Sequence, residues 1–134
     1  MAKDFTCFLI DDDADDQEIF LSVIDNISPA VHCITASNGQ EALQKLTREN
    51  VRPDLIFLDL NMPLMNGKQF LKACNILDDC KKIPVIILTT SSDQKTMEET
   101  MRLGARGYIT KPDKYSVWGK LIEEKINAYR QASQ

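Results

Sequence analysis

No stretch of this sequence approaches the roughly 20 consecutive apolar residues that a membrane-spanning helix needs, and the opening Met1-Ala2-Lys3-Asp4 lacks the apolar core of a secretory signal. A cytoplasmic protein without membrane insertion is the expectation. Close cysteine pairs are also missing. Cys7, Cys33, Cys74 and Cys80 lie far apart, which excludes the usual spacing of a structural zinc site or a two-cysteine redox motif. Cys7 and Cys33 fall in apolar runs, where a free thiol behaves as a small hydrophobe, and four free thiols suit a reducing compartment. No basic cluster is present, and the net charge is -4, so direct nucleic-acid binding, which draws on Lys and Arg, is not expected. Histidine occurs once, as His32 within an apolar run, where it reads as structural and supports neither a phosphohistidine nor a metal site.

What the 134 residues do contain is an alternation. Five short apolar runs, Phe5 to Ile10, Val31 to Thr35, Leu55 to Leu58, Val85 to Leu88 and Tyr108 to Ile109, read as strands, several of them continuous enough to be buried on both faces of a parallel sheet. Between them run helical stripes: Ile19, Phe20, Val23, Ile24 and Ile27; Ala42, Leu43 and Leu46; Phe70, Leu71, Cys74 and Leu77. A fourth helix, from about Asp93 to Leu103, has a thin apolar face of Met97, Met101 and Leu103, and a last one carries Trp118, Leu121, Ile122, Ile126 and Tyr129. Asn38 reads as one helix cap, and Ser91 with Gln94 as a capping box before the fourth helix. Pro53 and Pro84 stand just ahead of strands, where a missing N–H is tolerated. The pattern implies one α/β domain over residues 1–134, doubly wound around a parallel sheet, with its core at about 5–130.

In such a sheet the residues that follow each strand gather on one edge, the crevice where open α/β folds bind ligands. Here Asp11-Asp12-Asp13, Asp59, Thr89-Thr90-Ser91 and Lys111 meet there. Two unit charges 4 Å apart repel by roughly 4 kcal/mol at a protein surface, so clustered carboxylates call for a cation, and an all-oxygen site with room for water suits Mg2+. Lys111 supplies a fixed positive charge suited to a phosphoryl oxygen. Asp13, Asp15 and Asp16 read instead as charges in the first turn of a helix, favoured by its dipole. Asp59, Thr89 and Lys111, taken singly, read as ordinary turn, strand and surface residues; their shared register makes them a site.

The segments Phe8-Leu-Ile-Asp-Asp-Asp13, Asn38-Gly-Gln-Glu-Ala-Leu43, Pro53 to Gly67, Pro84 to Thr90 and Gly104 to Pro112 resemble the response regulator receiver family, the CheY-like domains of two-component signalling, over nearly the whole chain and in the expected order. The resemblance implies a flavodoxin-like (βα)5 sandwich with strand order 2-1-3-4-5. It implies that Asp59 accepts a phosphoryl group from a sensor histidine kinase or a histidine phosphotransfer protein, and that Mg2+ is held by Asp11, Asp12, Asp59 and the Asn61 backbone carbonyl. Thr89 and Lys111 would contact the phosphate, Tyr108 would be the switch aromatic, and Asn61 and Ser91 would tune the phosphoryl lifetime. It further implies a cis Lys111-Pro112 bond, and a downstream protein target that docks on the fourth helix, fifth strand and fifth helix. Trp118, although in that region, reads as core by its helical stripe. Two positions depart from the family pattern: Asp113 replaces a more usual apolar residue at the turn into the last helix, and Thr90 adds a methyl that narrows access to the phosphate.

The expectation is therefore a stand-alone receiver without an output domain, a switch that catalyses only its own phosphorylation and dephosphorylation. The alternative is a pseudo-receiver, a protein-interaction module that is never phosphorylated, against which the complete set of Asp11, Asp12, Asp59, Thr89 and Lys111 speaks. A phosphatase of the haloacid-dehalogenase type wants a second Asp two residues after the nucleophile, where Asn61 stands, and a flavodoxin-like flavin carrier wants a hydroxyl- and glycine-rich loop where the three aspartates lie.

Overall fold

Parallel pairing of five apolar segments builds the centre of the molecule. The structure, a computed structural model, describes residues 4–62, 64–90 and 93–132. Strand and helix alternate as β1 (Phe5–Ile10), α1 (Ala14–Asp25), β2 (Val31–Ala36), α2 (Gly39–Thr47), β3 (Leu55–Asp59), α3 (Gly67–Asn75), β4 (Val85–Thr89), α4 (Gln94–Arg102), β5 (Gly107–Thr110) and α5 (Tyr115–Ala132). The sheet order is β2-β1-β3-β4-β5, every pair parallel. The expected doubly wound fold is thus observed.

Strand periodicity of two divides the core. Phe5, Cys7 and Leu9 of β1, Leu55 and Phe57 of β3, and Ile86 and Leu88 of β4 pack with Phe20 and Ile24 of α1 and with Trp118, Ile122 and Ile126 of α5. Phe8 and Ile10, Ile56 and Leu58, and Val85 and Ile87 face the other way, onto Ala42 and Leu46 of α2 and Phe70, Leu71 and Cys74 of α3. Trp118 is core, as its stripe implied, at 1% exposure. Because β3 and β4 are buried along their whole length, no alternation marks them in the sequence. All four cysteines are free; Cys7, Cys74 and Cys80 are buried and Cys33 is half-buried.

α4 is the outlier. Its one fully buried residue is Thr100, whose hydroxyl donates to the carbonyls of Thr96 and Met97 within the same helix, while Met101 is 44% exposed. The helix is capped by Asp93, which accepts from the Lys95 N–H and the Thr96 hydroxyl. Asp93 therefore takes the role expected of Ser91, which lies outside the described residues. His32 lies in β2, the strand its apolar run implied, and is exposed there, with Nε2 3.6 Å from Asp4. No cis peptide bond occurs among the described residues, so the expected cis Lys111-Pro112 bond is not found. The X-Pro preference for trans, about 0.5–1 kcal/mol, is followed there.

Candidate functional site

The pleat decides what each strand delivers to the edge of the sheet. Continuing Leu9 by two residues brings Asp11 to the α1/α5 side, and continuing Phe57 by two brings Asp59 to the same side. Continuing Val85 and Ile87 by two brings Thr89 to the α3 side, the side against which Tyr108 packs. The acidic groups and the hydroxyl thus approach one edge from opposite faces of the sheet.

Asp11, Asp12 and Asp59 each offer a carboxylate oxygen within 4.8 Å of the others. Asp11 is fully buried, Asp59 is 7% exposed, and Asp12 is exposed, so the cluster opens to solvent on one side. Asp11 is fixed at both its ends: its side chain accepts from the Asp13 N–H at 2.9 Å, and its carbonyl accepts from Gln17 Nε2 at 2.6 Å. Asp59 Oδ1 accepts a longer bond, 3.3 Å, from the N–H of exposed Asn61. Thr89 is buried at the end of β4, opposite Thr110 in the ladder, and its carbonyl accepts from the Lys111 N–H at 2.7 Å. That bond brings Lys111 to the carboxylates. Its side chain is 12% exposed, and its ammonium donates to Asp11 Oδ2 at 3.0 Å and to Asp16 Oδ2 at 2.7 Å and stands 5.6 Å from the Trp118 ring centroid.

The electrostatics follow from burial. Loss of water pushes the Asp59 carboxyl up to about 7; Lys111 pulls it back, and Asp11 pushes it further. Burial raises Asp11 too, against the Asp13 N–H and Lys111, which favour its charge. Lys111 is opposed by its own burial, but the hydrogen bond to Asp16 and the charges of Asp11 and Asp59 outweigh that and hold it above the ordinary lysine value. Two buried carboxylates with raised pKa, open to solvent through a third, form a site short of positive charge. An all-oxygen donor set of this kind fits a hard divalent cation better than a soft one.

The loop after β3 is held by close packing. The Gly67 N–H donates to the Leu60 carbonyl at 3.1 Å, and a Cβ at Gly67 would lie 2.7 Å from both the Asp59 carbonyl oxygen and the Leu60 Cα. Glycine is needed there because two backbones touch. Asn66 and Gln69 then start α3 with a reciprocal capping box. Beside Thr89, the residues Asn61, Asn66, Lys68 and Thr96 line a polar hollow of about 260 Å³, and exposed Thr90 stands at the end of β4.

The sequence-predicted residues Asp11, Asp12 and Asp59 come together as a cluster, with Lys111 bonded to Asp11; Thr89 joins them through the backbone of Lys111. Tyr108 is half-buried on the Thr89 side of the sheet, and Ser91 lies outside the described residues. Asp13 is the α1 cap, as expected, accepting from the Asp15 and Asp16 N–H groups. Asp16 is not merely a capping charge: its carboxylate holds Lys111. Asp13 already accepts from the Asp15 and Asp16 N–H groups, so the Asp16 carboxylate, in the same first turn of α1, is left without a capping role.

The family model for the response regulator receiver domain matches residues 7–121. The chain is 41% identical over 102 residues to the protein-glutamate methylesterase/protein-glutamine glutaminase of Bacillus licheniformis, covering 72% of this chain and 28% of that protein. It is 31% identical over 129 residues to the probable C4-dicarboxylate response regulator DctR of Bacillus subtilis, covering 96% of this chain and 55% of that one. It therefore spans between about a quarter and about half of the length of these curated relatives. Among solved structures, the phosphorylated cyanobacterial phytochrome response regulator RcpA superposes with a TM-score of 0.88 at 27% identity, over 94% of each chain. The Mn2+-bound form of another response regulator superposes at 0.82 with 28% identity, over 90% of each. With the sheet order, the edge cluster and the family match in agreement, the chain belongs to the response regulator receiver domains of two-component signalling.

Proposed function

We propose that this receiver accepts a phosphoryl group on Asp59 from a phosphohistidine of a sensor kinase or phosphotransfer protein, and that it thereby changes its affinity for a protein partner in the cytoplasm. The observation that carries this reading is the placement of Asp59: a buried strand-end carboxylate, within 4.8 Å of Asp11 and Asp12 and attracted by Lys111. Asp11, Asp12, Asp59 and the Asn61 backbone carbonyl would hold Mg2+, and a Mn2+-bound relative of the same fold supports that choice. When bound, Mg2+ supplies positive charge shared between carboxylate and phosphoryl oxygens.

In the transfer, a carboxylate oxygen of Asp59 attacks phosphorus. The O–P bond forms as the N–P bond to the donor imidazole breaks, the electron pair stays on that nitrogen, and the nitrogen is protonated from solvent. Lys111 stabilises charge on the transferred group, and the Thr89 hydroxyl donates to it. Hydrolysis reverses the attachment: water attacks phosphorus, the acyl-phosphate bond breaks, and inorganic phosphate leaves. Asn61, exposed beside Asp59, and Ser91 are the residues placed by family analogy to govern that lifetime.

Movement of Thr89 toward the phosphate makes room for Tyr108 on the same side of the sheet, and phosphorylation then favours one of two arrangements of this region. The partner surface is α4, β5 and α5, where Met97 and Met101 lie along α4 and where Tyr108, Thr110, Leu121, Glu124 and Lys125 line a groove of about 370 Å³. Incubation with a small phosphodonor and Mg2+, followed by intact-mass measurement, tests the reading. Wild type should gain one phosphoryl group and Asp59→Ala none. A gain in both moves the acceptor elsewhere, and a gain in neither favours the unphosphorylated interaction module.

A further inference from the structure

The cluster Asp11, Asp12 and Asp59 accounts for the acceptor and the cation, but it leaves one charge over. Asp16, in the first turn of α1, lies outside the three-carboxylate group, yet it makes the shorter of the two ion pairs of Lys111, 2.7 Å against 3.0 Å for Asp11. The Asp16 side chain is 17% exposed, so water screens the pair only partly. A capping role does not explain the contact, because the α1 N-terminal donors at Asp15 and Asp16 are already taken by Asp13.

An ammonium has three protons. In this structure two of them are committed, to Asp11 and Asp16, and the ring of buried Trp118 lies along the lysine, 5.6 Å from Nζ to centroid. A phosphoryl group on Asp59 would therefore meet a lysine already engaged. If a cation takes up the Asp11 carboxylate, Asp16 becomes the anion that keeps the ammonium on the α1 side.

We infer that Asp16 is a positioning residue that engages the Lys111 ammonium in the resting protein, so that phosphorylation must draw the ammonium off Asp16. This inference rests on the phosphoryl-acceptor reading above. Its consequence is a receiver whose resting state is favoured by a contact that the phosphorylated state loses. Removing the carboxylate should leave Lys111 free to meet the phosphate.

The test is binding of beryllium fluoride, a phosphoryl mimic, with saturating Mg2+, measured by calorimetry on wild type, Asp16→Asn, Lys111→Ala and the double variant. Asp16→Asn should bind about fivefold tighter, the scale of a partly screened ion pair. In the Lys111→Ala background the same substitution should change affinity by less than about twofold, because the lysine it acts through is gone. Equal or weaker binding by Asp16→Asn overturns the inference, and so does an undiminished gain without Lys111, which would mean simple charge repulsion of the ligand. Failure of wild type to bind the mimic overturns the acceptor reading and this inference together. A second readout needs neither metal nor Lys111→Ala. In metal-free protein, the Lys111 ammonium should give a slowly exchanging proton–nitrogen resonance that broadens in Asp16→Asn; an unchanged resonance also overturns the inference.

Discussion

Replacing Asp59 by Asn should make the metal-free protein more stable, and only where the carboxylate would be ionised. Burial carries the midpoint of this group from 3.8 to about 7 in the folded state, with Asp11 adding to the rise and Lys111 opposing it. A raised carboxyl pKa means that the unfolded chain gives up its proton first as pH rises, so stability falls between pH 3.8 and about 7. At roughly 1.4 kcal/mol per pH unit, the accumulated loss is about 4 kcal/mol once Asp59 is ionised in both states. Asn is neutral at every pH and nearly the same shape, and its amide can donate to the neighbouring carboxylates. Asp59→Asn should therefore exceed wild type by about 2–4 kcal/mol at pH 8 in chelator, and match it near pH 4. Urea denaturation at several pH values measures this. At pH 8, saturating Mg2+ should close most of the gap by stabilising wild type more than the variant. A difference independent of pH, or a variant less stable than wild type at pH 8, would refute the claim that buried charge at Asp59 opposes folding.

Three further outcomes follow from the site's construction. Mg2+ binding only to the folded state should stabilise wild type by about 2.7 kcal/mol at a hundred times the dissociation constant, and so raise its melting temperature; an unchanged melting curve counts against the metal site. Gly67→Ala puts a methyl carbon 2.7 Å from two backbone atoms of the β3 terminus; it should cost about 1–3 kcal/mol in denaturant titration and slow phosphorylation by displacing Asp59. Asn66→Ala removes one arm of the α3 capping box and should cost about 1 kcal/mol, with phosphorylation nearly unchanged because no site carboxylate bonds to it.

How far the sequence carries depends on whether a residue's role is set by its neighbours in the chain or by its neighbours in space. The strands are legible because burial on both faces removes the polar residues that would interrupt Phe57, Leu58 or Ile86 to Leu88. Parallel pairing then forces Asp11, Asp59 and Thr89 to a common edge, so the core of the site follows from strand ends alone. The partner of Asp16 does not follow in the same way. Its local setting, the first turn of a helix, is a sufficient reason for an aspartate, while the lysine it holds lies 95 residues away in sequence. Thr100 is hidden for the opposite reason: a hydroxyl in a helix reads as surface, yet here the helix's own carbonyls satisfy it and leave it free to be buried.

The same distinction explains the two local expectations that were displaced. A capping box built on Ser91 and Gln94 is a valid local pattern, but Asp93 satisfies both a backbone N–H and the Thr96 hydroxyl and starts α4 two residues later. The cis Lys111-Pro112 bond was an inference from family resemblance, with no local signal in the sequence that requires it, and the chain reaches α5 without one. What fixes the turn is instead the bond from the Lys111 N–H to the Thr89 carbonyl at 2.7 Å, together with the two carboxylates on the lysine's other end. Lys111 thus ties β4, β5 and α1 at once, so the group we propose turns toward a phosphate is also the group through which those elements are coupled.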